Sequence, residues 1–378
     1  MPAQIDPFHA MAVSALAQEL KAQGRSIIHM EFGQPSTGAP RAAIETAHRI
    51  LDTDGMGYWE SAPLKARIAR HYAETYGLEV APDRVILTCG ASPGLVLALA
   101  ASFEPGERVA TARPGYVAYR NALKALHMVP VEIACGPGER YQMTAAALAA
   151  LDPAPAGVII ASPANPTGTI IAAKELAAIV EVCRARGIRI ISDEIYHGLS
   201  YVEPARSLLE FEPSAIVINS FSKYFSMAAW RLGWVLVPPQ MAERAWAYMG
   251  ALYLTPPSLA QHAGLVAMDE TAELAANVAV YRANRELLLA ALPAMGLTAI
   301  APPDGAFYLY ADVGHLTNDS LDFCMRLLRD TGVATASGVD FDPVDGRRFI
   351  RFSFAVSTAE TQEAIRRLTP WFAKAGGR

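Results

Sequence analysis

The sequence predicts an α/β protein: a large unit with a mostly parallel seven-stranded sheet sandwiched by helices, and a smaller α+β unit beside it. Three observations carry this. Seven short apolar runs rich in β-branched residues recur from about residue 80 to 240. They do not alternate polar with apolar, which marks strands buried on both faces. Helical patterns lie between several of them, and that alternation builds a covered parallel sheet. After about residue 300 the pattern changes to a second set of strands and helices.

The seven runs are "RVILTCG" (84–90), "ERVATAR" (107–113), "MVPVEIA" (128–134), "GVIIASP" (157–163), "IRIISDE" (188–194), "AIVINSF" (215–221) and "GWVLVPP" (233–239). Between the fourth and fifth, "AAKELAAIVEVCRARG" (172–187) reads as a helix closed by Gly187. A long helix follows at roughly 271–292. Strands are then expected at 306–313, 333–337 and 347–355, with helices near 318–330 and 357–376. This divides the chain into a large domain, 41–281, and a small domain made of 1–40 with 282–378.

Composition excludes several classes. At 378 residues, about half of them hydrophobic, the chain can bury a large core. A net charge of −5 without a Lys/Arg run leaves no footprint for nucleic acid or an anionic membrane. Cys89, Cys135, Cys183 and Cys324 stand far apart, so neither a zinc site nor a disulfide framework is suggested. No apolar run approaches the roughly 20 residues that span a bilayer, and the N-terminal residues lack a secretory apolar region. A soluble cytoplasmic protein is expected.

In parallel sheets, functional residues gather beyond the carboxyl ends of the strands. Here those ends carry Gly90 to Ser92, Pro114 to Tyr116, Asn165, Asp193 to Tyr196, and Ser220 to Lys223. Asp193 closes an apolar strand, where a carboxylate needs a cation or a cap. Asn165 sits in "ASPANPTGT", a turn in its own right. "TCGASPGLVLALAASF" runs from a strand through a tight turn into a helix whose first N–H groups form an anion site. The same turn spells G-x-S-x-G, so Ser92 is also a candidate hydrolase nucleophile, with His315 as its best late histidine. The two readings cannot be separated on the motif alone.

Lys223 sits among aromatics and small residues in "NSFSKYFSMAAWRLGW", with Arg231 eight positions on. A buried ammonium is unfavourable unless something uses it, and a Schiff base to a cofactor aldehyde would. Pyridoxal 5'-phosphate has a short list of requirements. It needs a lysine, a carboxylate at its ring nitrogen, donors to its phenolic oxygen, a stacking ring, and an anion site with an arginine. The strand ends supply a candidate for each.

The series "GASPG", "PGY", "SPANPTGT", "SDEIYHG", "SFSKYFSMAAWRLGW" and "RFSF" resembles the class I/II aminotransferases, pyridoxal-phosphate enzymes of fold type I, over essentially the whole chain. The resemblance implies amino-group transfer between an L-amino acid and a 2-oxo acid by a ping-pong mechanism. Lys223 would form the Schiff base and act as general base, and Asp193 would pair with the pyridinium nitrogen. Asn165 and Tyr196 would bond the phenolic oxygen, and Tyr116 would stack on the ring. Ala91, Ser92, Ser220, Ser222 and Arg231 would hold the phosphate. Arg351 would clamp the substrate carboxylate near Gly33 and Asn165. Tyr58 would reach the neighbouring subunit's phosphate site, which implies a homodimer with shared active sites.

The chain departs from the family twice. Ala228–Ala229 stands where a Thr-Gly or Ser-Gly pair is usual, and Ala62 precedes Pro63 and Leu64 where a glycine is common. Both touch loop geometry. A carbon–sulfur lyase or a cyclising enzyme on the same fold would share the lysine and aspartate. A ligand-sensing regulator would need a DNA-binding module ahead of this domain, which is not expected. His9, His29 and His197 read as structural, and Trp59 as either pocket wall or packing.

Overall fold

The structure, a computed structural model, describes residues 3–376. Its first strand, β1 (Ile28–Met30), lies outside the seven runs because three residues are too few for a period to show. The next seven are β2 (Val85–Thr88), β3 (Arg108–Arg113), β4 (Val129–Ala134), β5 (Gly157–Ala161), β6 (Arg189–Asp193), β7 (Ile216–Ser220) and β8 (Gly233–Leu236). They form one sheet in the order β2-β8-β7-β6-β5-β3-β4. β3 to β7 pair in parallel, whereas β8 runs antiparallel to both β7 and β2.

The central runs are apolar because alternate residues face two different cores, whereas the edge strand β4, with Glu132 and the exposed Val129, is not buried on both faces as its run suggested. In β5, Val158 and Ile160 enter one cluster and Ile159 the other. Leu87 and Ile86 divide in the same way, as do Val217 and Ile218. The reversed β8 has a local cause: no crossover helix lies between it and β7, only the loop 221–232. That return brings Gly233 opposite Ser220 and Thr88, so the residues just before β8 reach the same sheet edge as those just after β7.

Strands β9 (Tyr308–Asp312), β10 (Val333–Ser337) and β11 (Phe349–Ser353) form a second sheet in the order β1-β10-β11-β9. β1 joins it by parallel pairing of Ile28 with Val333. The expected helices are present at Ala173–Arg186, Thr271–Ala291, Ser320–Thr331 and Thr358–Ala375. Gly187 ends the first with a φ of 66°, a left-handed cap that suits glycine. Ser357 and Glu360 start the last with reciprocal hydrogen bonds. That helix lays Ala364, Leu368 and Phe372 onto a core shared with Met30, Phe307, Leu309 and Phe352.

Candidate active site

A cavity of about 370 Å³ opens at the carboxyl edge of the large sheet, where the small sheet faces it. Every predicted site residue except Tyr58 lines it. Tyr58 is 88% exposed and does not line its own chain's cavity.

At the centre, Lys223 Nζ donates to the Gly33 carbonyl at 2.6 Å. Burial, and then the positive charge of Arg351, bring the Lys223 ammonium down to about 8, although Asp193 pulls the other way. Gly33 is required here by space: a Cβ would overlap the Tyr308 hydroxyl. Asp193, 6% exposed, accepts the Tyr119 hydroxyl at 2.6 Å and the Ile195 N–H at 3.2 Å. Burial raises its pKa to about 6, against the lowering effect of those two donors. Among the described residues no cation forms an ion pair with it.

One end of the cavity is built for an anion. The Ala91–Ser102 helix begins here, so Ala91 and Ser92, which line the cavity, bring N–H groups without intrahelical partners. Ser220 and Ser222 hydroxyls lie 2.9 Å apart beside it. Arg231 donates to the Ala228 and Cys89 carbonyls at 2.9 and 3.2 Å. A Cβ on Gly90, whose φ is 95°, would come within 2.5 Å of that guanidinium. The sharp turn of G-x-S-x-G is therefore carried by Gly90, and Ser92 is an ordinary helical residue without positive φ. Among the described residues no histidine lines the cavity. Both points go against a hydrolase elbow.

The other end is aromatic. Arg351, 3% exposed, lies between the rings of Tyr308 and Phe341, at 4.3 and 4.7 Å from their centroids. One Nη donates to Asn165 Oδ1 at 2.7 Å and the other to the Glu31 carbonyl. Its Nε is buried without a partner. Tyr196 and Tyr308 hydroxyls bond each other at 2.7 Å.

The departures from the family leave this geometry intact. Ala228 and Ala229 lie in a single 3-10 turn with negative φ, and the left-handed residues of the loop are Ser226 and Arg231. Ala62 is the first residue of a helix capped by Ser61, a position that needs no glycine.

Sequence reasoning missed Phe8, Phe32, Tyr119, Tyr308 and Phe341. Only Tyr119 left a signal, three residues after Tyr116 and so one helical turn away. The histidines have partners: His9 bonds Asp340, His29 bonds Glu31, and His197 lies between the Tyr76 hydroxyl and the Ser162 carbonyl. Trp59 stacks on His262 at 4.5 Å and does not line this cavity.

The donor set fits pyridoxal phosphate. A buried carboxylate without a cation suits a pyridinium N–H, the cradle at Gly90 suits a phosphate, and an amine near neutrality lies between them.

Comparison with known proteins shows the family. The profile of the family "Aminotransferase class I and II" matches residues 25–368. The chain is 45% identical over 376 residues to a valine–pyruvate aminotransferase of Mycobacterium tuberculosis, covering 98% of this chain and 97% of that one. The crystal structure of an aminotransferase from Mycobacterium tuberculosis superposes with a TM-score of 0.95 at 44% identity, covering 98% and 97% of the two chains. Aspartate aminotransferase from Thermus thermophilus with maleate gives 0.90 at 28% identity, covering 97% of each.

Proposed function

The chain belongs to the aminotransferase class I and II family, and on that footing we propose that it transfers the amino group of a small apolar L-amino acid to a 2-oxo acid with pyridoxal phosphate. The observation that carries the substrate class is the inventory of charge around the cavity. Its cations are Lys223, Arg231 and Arg351. Arg231 belongs to the anion cradle and Lys223 to the centre, which leaves Arg351 alone for the substrate's α-carboxylate. Among the described residues the cavity of this chain holds no further cation for a distal carboxylate, and its lining includes the rings of Phe8, Phe32 and Tyr308, the last packed on Arg351. The relative whose name carries valine and pyruvate supports the same choice.

When bound, pyridoxal phosphate supplies an electron-withdrawing ring that makes the α-hydrogen of an amino acid acidic. The chain's own groups do the rest. Asp193, in its ionised form, would keep a proton on the ring nitrogen. Asn165 and Tyr196 would orient the phenolic oxygen and Tyr116 would stack on the ring, while Ala91, Ser92, Ser220, Ser222 and Arg231 would hold the phosphate. Arg351 orients the α-carboxylate beside Gly33. Lys223 Nζ, with its pKa near 8, takes the α-proton as the neutral amine and gives it back as the ammonium.

A half-reaction screen tests this. Cofactor-loaded enzyme is mixed with each amino acid in the absence of oxo acid while the visible cofactor band is followed. Valine and similar small aliphatic donors should bleach it, and pyruvate should restore it. Release of pyruvate and ammonia without bleaching would instead identify a lyase.

The same reading makes the protein a homodimer. Tyr58, Trp246, Leu252 and Leu254 are all exposed, and Trp246 is tied to Glu60 and Thr255 to Trp59, so they share one face. Mixing inactive Tyr58→Ala and Lys223→Ala proteins should recover activity through hybrid dimers, and recovery of none would argue against shared sites. The division into 41–281 and 1–40 with 282–378 is part of the proposal, supported by the pairing of β1 with β10. The four unpaired cysteines suit a reducing compartment such as the cytoplasm.

A further inference from the structure

From the two anchors of the N-terminal segment we infer that residues 6–10 form a strap across the cavity mouth, and that Phe8, carried at its middle, sets the size of substrate side chain admitted. The inference rests on the small-apolar reading above and adds the residue that enforces it.

The first anchor is Asp6. Its carboxylate accepts Arg120 Nε at 2.8 Å and Lys124 Nζ at 2.8 and 2.9 Å. Its backbone N–H and C=O both bond the Asn121 amide, at 3.2 and 3.1 Å. All three partners lie on the Val117–Ala125 helix, which follows Tyr116 and contains Tyr119. Arg120 is further fixed by Glu132 at 3.0 Å. The second anchor is Asp340, whose side chain is fully buried. It accepts the backbone N–H groups of His9 and Ala10 at 2.7 and 2.8 Å, and the His9 ring at 2.9 Å. The next residue, Phe341, covers one face of Arg351.

The strap thus joins the helix beside Tyr116 to the turn beside Arg351. Two residues, Pro7 and Phe8, separate the anchored Asp6 from the anchored His9, and such a short span leaves little slack. Phe8 lines the cavity, and neither anchor touches the cradle of Ala91, Ser92, Ser220, Ser222 and Arg231. A substrate held by Arg351 must therefore place its side chain under Phe8. A pinned ring admits a small branched side chain and meets an aromatic one.

The test uses binding, free of turnover. Calorimetry on cofactor-loaded enzyme measures affinity for isovalerate and for hydrocinnamate, the deaminated analogues of valine and phenylalanine. Wild type should prefer isovalerate. Phe8→Ala should raise the hydrocinnamate-to-isovalerate affinity ratio about tenfold or more, the scale of discrimination by apolar pockets, and Phe8→Trp should lower it. Asp6→Ala should move the ratio in the direction of Phe8→Ala by a smaller factor, and Asp6→Glu should largely restore it. A ratio that stays at the wild-type value in both Phe8 variants overturns the inference while leaving the small-apolar reading in place. A ratio unchanged in Asp6→Ala overturns the strap. A wild type that prefers hydrocinnamate overturns both the inference and the reading beneath it.

Discussion

The two arginines of the cavity are placed in opposite ways. Arg231 is exposed, held by two carbonyls, and lies on the loop that also carries Lys223. Arg351 is buried between two rings and bonded to Asn165 and Glu31, so its environment comes from β11, β9, two loops and the turn after β10. A guanidinium at a solvent-facing cradle suits a dianion that arrives once and stays. A desolvated one, fixed in plane by ring faces, suits a carboxylate that must be gripped in one orientation each turnover, because a planar fork loses little freedom on binding. The same residue type thus holds a resident at one end and selects a visitor at the other.

The comparison breaks most sharply at Arg351. Arg351→Lys keeps the charge and loses the fork, so kcat/KM for the amino donor should fall about tenfold to a hundredfold, the scale for losing one hydrogen bond to a charged group. Cofactor affinity should hardly change. Stopped-flow half-reactions and cofactor titration read the two quantities separately, and a large loss of cofactor affinity would refute the division of roles. Arg231→Lys should show the reverse with a smaller effect. Its cofactor dissociation constant should rise about tenfold, since an exposed phosphate contact is lost only in part. At saturating cofactor, kcat should stay within about threefold of wild type.

That contrast also explains what the sequence could tell. Arg231 and Lys223 are legible together because one loop carries both, and the antiparallel return of β8 keeps them at one edge. The strand ends were legible because burial on both faces writes an apolar run that stops where chemistry begins. Arg351 by itself read as a strand residue, and only the family resemblance assigned it a role. Tyr308, Phe341 and Phe8 left no signal, because what makes them matter is a tertiary approach that no local period or motif records. β1 was too short for any period to show. Ala228 and Ala229 looked like a possible disturbance, and the structure shows that the positive φ values fall on their neighbours.

The smallest effect lies between the two arginines and tests whether the centre is independent of both ends. Tyr119 donates to Asp193 Oδ2 at 2.6 Å, a bond that favours the ionised carboxylate and partly offsets the effect of burial. Tyr119→Phe removes the donor, so the Asp193 pKa should rise above its value of about 6. A hydrogen bond to a charged group contributes about 1.5 kcal/mol or more, which corresponds to about one pH unit. The acid limb of kcat/KM should therefore move upward by about one unit. The sign follows from protonation: below the new pKa the carboxyl carries its own proton and no longer holds one on the ring nitrogen, so activity is lost on the acid side. At pH 8 or above Asp193 is ionised in both proteins, and activity, cofactor affinity and donor affinity should match wild type within about twofold. A Tyr119→Phe protein with a uniform loss at every pH, and no displacement of the acid limb, would mean that Tyr119 only packs beside Asp193.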